Sequence, residues 1–204
     1  MPGCPLVALD SHFPGLAIDS VQIDNRMGAA QAAQGLIEAG HTDIGYLHSS
    51  VWIQNFDERR EGFMQALSQA GVAFNLRRQY GLESTLDGAS RDMAAALNDR
   101  PDLPTAFFAD NDLIALGAIK AMRERGIAIP GAVSVVGFDD MPFCEMLDPP
   151  LDTVRVFKRR MGMVAVRRLI DRIADQPEET IRIEVATVLV KRQSVRILLK
   201  ENLP

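Results

Sequence analysis

The apolar run at residues 133–136, closed by Gly137, Phe138 and the paired acids Asp139 and Asp140, constrains this chain more than any other stretch. Val133, Val135 and Val136 put β-branched side chains on both faces of an extended segment. A strand that is apolar on both faces belongs inside a parallel sheet covered on two sides. Open parallel sheets hold ligands at the carboxyl ends of their strands, so Asp139 is carried to a candidate site by a rigid element. Pro149 and Pro150 then fix an extended connection into a second β-like piece, 151–156. Strand, acid pair, proline-stiffened crossing and strand suggest a binding cleft between two lobes. A strand followed by an ordinary polar turn is the plain alternative, since acids are common in loops.

The rest of the chain alternates in the same way. Residues 6–9, 21–23, 44–47, 79–82, 106–109 and 186–190 read as strands, 79–82 weakly. Helical periodicity covers 26–39, 56–70, 86–97, 112–125 and 158–174. Gly40, Gly71 and Gly126 stand just past helix ends, where a left-handed residue closes the last turn. Alternation of this kind predicts a parallel α/β fold. The hydrophilic break at 175–180 suits a loop.

At 204 residues the chain has room for one large domain or two small lobes. A net charge of −5, with no basic run, argues against a nucleic-acid-binding surface in this chain. Cys4 and Cys144 lie far apart with no C-x-x-C spacing, which fits a reduced, cytoplasmic setting and no zinc site. No apolar stretch reaches membrane-spanning length, and the first residues lack the basic region of a secretory leader.

Several predicted strands end in side chains able to bind a polar ligand: Asp10, Asp24-Asn25, Asp110-Asn111-Asp112 and Asp139-Asp140. Carboxylates and amides suit bidentate contact with vicinal hydroxyls or ring nitrogens, and grouped at strand ends they line a polar cleft. Asn111, Asp112 and Asp57 can instead cap the helices behind them, and for Asp112 capping is the preferred reading. Asp10 and Asp139 have no strong helix start directly behind them and read as ligand contacts. Arg59 and Arg60 sit near the start of a helix, where a cation opposes the helix dipole. A guanidinium there is a natural clamp for ligand oxygens, although Arg60 reads better as a surface residue. Trp52 and Phe56 offer either a stacking face or core. His41, in AGHTDIG, reads as a structural hydrogen-bonding group between helix and strand. The G-x-S-x-G, Walker-type and dinucleotide-binding templates are absent, and the three histidines do not form a metal spacing. A cluster of aspartates could hold magnesium in a phosphohydrolase, but neither a nucleophile context nor a phosphate-cradling glycine loop accompanies it.

IDNRMGAAQAAQGLIEAGHTDIGYL, RREGF, PTAFFADNDLIALGAIKAMRERGIAIPGAVSVVGFDD, DPPLDTVRV, RRMGMVAVRRLI and LVKRQSV occur in one order. Together they closely resemble the effector-binding region of LacI/GalR-type bacterial transcription repressors, from about Pro5 to Val195. The resemblance implies a periplasmic-binding-protein-like, two-lobed parallel α/β sandwich joined by three crossings, with a sugar or related small metabolite between the lobes. It also implies a homodimer, with contacts on or near the 112–125 helix, and operator DNA bound through an N-terminal helix-turn-helix that this sequence does not contain. PLVALD resembles a late strand of the first lobe, so the first lobe is expected to be incomplete: 1–23 and 156–180, against a second lobe of 24–155 and 181–204.

Matched motif by motif, the resemblance implies ligand contacts at Asp10, at Arg59 (three before the glycine of REGF), at Asn111 of ADND and at Asp139 of GFDD. Asn55, Glu83 and Lys158 fall where family members vary their specificity residues, and Trp52 lies beside them. An acid at position 83 departs from the aromatic that relatives often place there. The resulting expectation is the effector-sensing domain of a cytoplasmic regulator, with no catalytic residue, metal, cofactor or membrane contact. The alternative is a periplasmic-type sugar-binding protein of a transport system.

Overall fold

Ala106–Ala109 carries no polar side chain, and every residue of it is buried as strand β5 inside a six-stranded sheet. On one side lie β3 (Ile44–Ser49) and then β4 (Gln79–Leu82). On the other side lie β6 (Ser134–Asp139), β7 (Asp152–Arg155) and β9 (Val188–Val190). Neighbouring strands are parallel except for antiparallel β7 and β9. The computed structural model describes residues 4–11, 13, 15–99, 102–174 and 179–198. They form two units. The larger holds this sheet and comprises Asn25–Arg155 and Val188–Pro204; the smaller comprises Met1–Asp24 and Val156–Thr187, so the chain passes between units three times.

In the larger unit successive side chains alternate across the sheet. Phe108 stacks with Tyr46 and with Phe63 of helix α2 (Gln54–Gln69), at ring-centroid distances of 5.6 and 5.3 Å. Phe107 turns to the opposite face, where it meets Tyr80 edge-on and joins Met93 and Leu97 of α3 (Leu86–Asp99) and Ile114 and Ala118 of α4 (Asp112–Glu124). Burying each of these aromatic or aliphatic side chains contributes about 1.5–3 kcal/mol. Covering both faces is what the doubly apolar strand of the sequence requires.

Helix α1 (Asn25–Glu38) buries mostly small residues, Gly28, Ala29, Ala32 and Ala33, and packs closely on α2. The approach is tightest at Gly62, where an added Cβ would meet the Arg26 carbonyl oxygen at 2.1 Å. His41 is fully buried just after α1, its Nδ1 2.9 Å from Thr105 Oγ1 and its Nε2 3.2 Å from the Arg196 carbonyl. It thus ties the helix exit to the start of β5, as a structural histidine.

The smaller unit is a three-stranded parallel sheet, β1 (Val7–Leu9), β2 (Asp19–Ile23) and β8 (Arg182–Val185), in the order β1-β2-β8, with α5 (Lys158–Ala174) packed on β1 and β2. Residues 181–187, assigned above to the second lobe, fall in this unit, where 182–185 pair with β2. One buried residue, distant in sequence, draws them there: Asp19, at the start of β2, accepts from the Ile181 amide at 2.5 Å and sits 3.0 Å from Arg168 Nε and 3.3 Å from Arg172 Nε of α5. The sequence shows one β run over 186–190; the structure has β8 before it and β9 at its end. Residues 175–178, within the expected 175–180 loop, lie outside the described residues, as do the last six of the expected second lobe.

Gly62→Ala should destabilise the larger unit by about 1–3 kcal/mol, because the helices must part to admit one methyl group. Urea unfolding checks this. A midpoint equal to wild type would mean that α1 and α2 are not in this contact.

Candidate functional site

All but one pairing of the six-stranded sheet is parallel, so the carboxyl ends of β3, β4, β5 and β6 lie along one edge. That edge carries Ser49, Glu83, Asp110, Asn111 and Asp139, and α2 supplies Arg59. Arg59 is only 3% exposed although it lies in the second turn of its helix, where the dipole disfavours a cation. Three acceptors offset that cost. Its Nε donates to Asn25 Oδ1 at 2.9 Å, one terminal nitrogen donates to the Asp110 carbonyl, and the other is 3.4 Å from Asp139 Oδ1. The guanidinium carbon also lies 3.7 Å from the centre of the Phe138 ring, a cation–π contact out of reach of water on that face. Asn25 in turn donates to Glu58 Oε2 at 3.0 Å.

Two carboxylates back this edge. Asp110 is fully buried; its oxygens accept from the Tyr46 hydroxyl and, at 2.7 Å, from the Ser49 amide. Burial pushes its pKa up to about 6, against those hydrogen bonds, which lower it. Asp112 is also fully buried, and burial pushes it up to about 6 against bonds from the Thr153 hydroxyl and the Met141 amide. Asp112 does not cap α4. Asn111 does, its Oδ1 accepting from the Ile114 amide at 2.9 Å, which frees the Asp112 side chain to turn inward.

Arg59, Asp139 and the Asp110-Asn111 turn are brought together in the larger unit. Asp139 is half-buried, with φ of 108°. Glu83 is half-buried and engaged by Arg91 at 2.8 Å and by the Thr85 hydroxyl at 2.8 Å; the Arg91 bond holds its pKa below the usual range. Asn55 is half-buried in the first turn of α2. Trp52 is 75% exposed, its indole N–H donating to Asp57. Asp57 therefore holds an indole rather than capping the helix, which has no side-chain cap. A cavity of 190 Å³ opens there, lined among others by Tyr46, His48, Trp52, Phe56 and Arg60. Asp10 and Lys158 belong to the smaller unit: Asp10 is exposed just past β1 with φ of 56°, and Lys158 is exposed as the first residue of α5. Among the described residues no group of three or more histidine, cysteine, aspartate or glutamate side chains could hold a metal ion.

Sequence reasoning missed the roles of Tyr46 and Asn25 and the inward turn of Asp112. Asn25 carried a signal, since it stands at a strand end directly before a helix. Tyr46 lies within an apolar run and carried none.

Residues 33–195 match the family described as periplasmic binding protein-like domain. Over 195 residues the chain is 36% identical to the HTH-type transcriptional regulator GalS of Salmonella typhimurium, with 96% of this chain and 56% of that protein covered. It is 33% identical over 196 residues to the HTH-type transcriptional repressor PurR of Pasteurella multocida, covering 94% of this chain and 57% of the relative. Its fold superposes on a LacI family transcriptional regulator from Enterococcus faecium, solved with bound ribose, with a TM-score of 0.86 and 26% identity, over 96% of this chain and 71% of that one. The chain belongs to the LacI family, through its periplasmic binding protein-like domain. It spans somewhat more than half the length of these curated relatives.

For Asp110 the folded pKa, about 6, lies above the ordinary 3.8, so the folded state binds the proton more tightly. The stability this contributes is complete below pH 3.8 and is lost as pH rises through about 6. Relative to Asp110→Asn, wild type should lose about 3 kcal/mol of unfolding free energy across that window. Parallel pH profiles of the two chains, measured by urea unfolding, would contradict this.

Proposed function

We propose that this chain is the effector-sensing part of a LacI-type transcriptional repressor and that it binds a small sugar-like metabolite. The observation that carries the reading is the Arg59–Asp139 pair. A buried, immobilised guanidinium sits beside a half-exposed carboxylate at the carboxyl end of a parallel sheet. Donor and acceptor side by side match the vicinal hydroxyls of a sugar, each of which both gives and takes a hydrogen bond. The ribose bound to the Enterococcus faecium regulator supports this class of ligand. Asn111, Asn55, Glu83 and Trp52 are the further contacts proposed in the larger unit, and Asp10 and Lys158 those in the smaller one.

Binding acts by shifting a population of conformations, and a helix-turn-helix domain elsewhere in the whole protein reads that shift on operator DNA. The protein is a cytoplasmic homodimer that associates through or near α4. No helix among the described residues is long and apolar enough to cross a membrane. The domain performs no catalysis and needs no cofactor, its chemistry being recognition alone.

A thermal-shift screen of sugars and nucleobases, beginning with D-ribose, identifies the effector. Asp139→Ala should then weaken the compound that shifts wild type by about 2–5 kcal/mol, the usual cost of removing one partner from a buried charged hydrogen bond, while the fold stays intact. Arg59→Ala should lose both binding and stability, because Arg59 also holds Asn25 and the Asp110 carbonyl. Calorimetry that returns wild-type affinity for Asp139→Ala would remove that residue from the site.

A further inference from the structure

Asp139 and Asp140 are consecutive non-glycine residues with positive φ, 108° and 49°. Aspartate tolerates the left-handed well at 49°, but 108° lies outside it, in backbone that L side chains rarely adopt. Such a conformation persists only where its surroundings over-determine it. The next residue shows what does so. The Met141 amide donates to Asp112 Oδ2 at 2.8 Å, while Asp112 Oδ1 accepts from the Thr153 hydroxyl at 2.6 Å. The Cys144 thiol is a third partner.

Asp112 is fully buried at the start of α4. Its carboxylate is therefore a fixed point rather than a mobile surface group. Room has been left for it: a Cβ on Gly137 of β6 would come within 2.3 Å of Asp112 Oδ1. It is not there to start the helix, because Asn111 supplies the cap. A buried carboxylate without such partners would be disfavoured against an apolar residue of the same size, so the bonds it makes account for its presence. On the far side of the turn Asp140 is drawn away, to Arg155 at 2.5 Å and Arg192 at 2.7 Å. The two acids thus diverge, and Asp139 is left with its carboxylate at Arg59.

We propose that Asp112 is a positioning residue: by taking the Met141 amide and the Thr153 hydroxyl, it holds the Asp139-Asp140 turn that presents the Asp139 carboxylate to the effector. The proposal rests on the reading of Asp139 as an effector contact, and its test separates the two. Asp112→Leu fills the space but accepts no hydrogen bond; Asp112→Asn keeps one acceptor oxygen for the Met141 amide.

In crystal structures of the variant chains, Asp139 should leave positive φ and part from Arg59 in Asp112→Leu, and keep both features in Asp112→Asn. Should the leucine variant not fold, Asp112→Ala serves the same comparison. Retention of the turn and of the Arg59 pairing in the apolar variant overturns the proposal, whichever compound is the effector. Calorimetry with D-ribose supplies the second arm. Asp112→Leu should weaken binding about tenfold or more, with Asp112→Asn restoring most of it, and it should have no further effect in an Asp139→Ala background. An equal loss in both backgrounds would show that Asp112 does not act through Asp139 and would overturn the proposal.

Discussion

A single buried guanidinium organises the carboxyl edge of the larger unit's sheet. Arg59 reaches from α2 across the end of the sheet and joins the start of α1 through Asn25, the end of β5 through the Asp110 carbonyl and the end of β6 through Asp139 and Phe138. The partners come from three different elements, so one side chain sets their mutual spacing. Removing Arg59 strips the buried Asn25 amide oxygen and the Asp110 carbonyl of their donor, at about 1–3 kcal/mol for each group left unsatisfied, whereas removing Asp139 leaves both bonds in place. The side chain proposed to meet the effector therefore also holds this edge together. That is why Asp139, and not Arg59, separates binding from folding.

Behind this edge the interior keeps carboxylates where apolar side chains would avoid the cost of desolvating a charge. Asp110 and Asp112 are both fully buried, and both are raised in pKa by burial. Each accepts a backbone amide at or just past a strand end: Ser49, the last residue of β3, in one case, and Met141, two residues past β6, in the other. Loops at strand ends carry amides that no ladder satisfies, and a buried amide without an acceptor is costly. The carboxylates meet that need and fix the loops to the sheet beneath them. Rigid loops at the carboxyl edge are what a recognition site requires, since a ligand then meets preformed contacts rather than having to order them.

Much of this was legible in the sequence where one physical signal dominates. The buried strand at 133–138, the helices closed by Gly40, Gly71 and Gly126, and the cluster of polar side chains at strand ends all follow from local pattern, and the motif resemblance identified the family. The pattern failed where long-range pairing decides. Residues 182–185 carry a β pattern that says nothing of its partner, and Asp19, more than 160 positions earlier, draws them to β2. Asn111 and Asp112 are adjacent acceptors at a helix start, and the preference for Asp112 as the cap failed because Asp112 turns inward, where Gly137 leaves it room, while Asn111 caps. Glu83 was read as a specificity position, but no sequence pattern pointed to its ion pair with Arg91 eight residues away.

The claim that Arg59 is a fixed hub has a direct measure in the exchange of its Nε proton with water, read by nitrogen-15 NMR of the labelled chain. Bonded to the buried Asn25 Oδ1, that proton should give a sharp, slowly exchanging signal at neutral pH, which Asn25→Ala abolishes. An Nε proton that exchanges as fast as that of a free arginine would contradict the account.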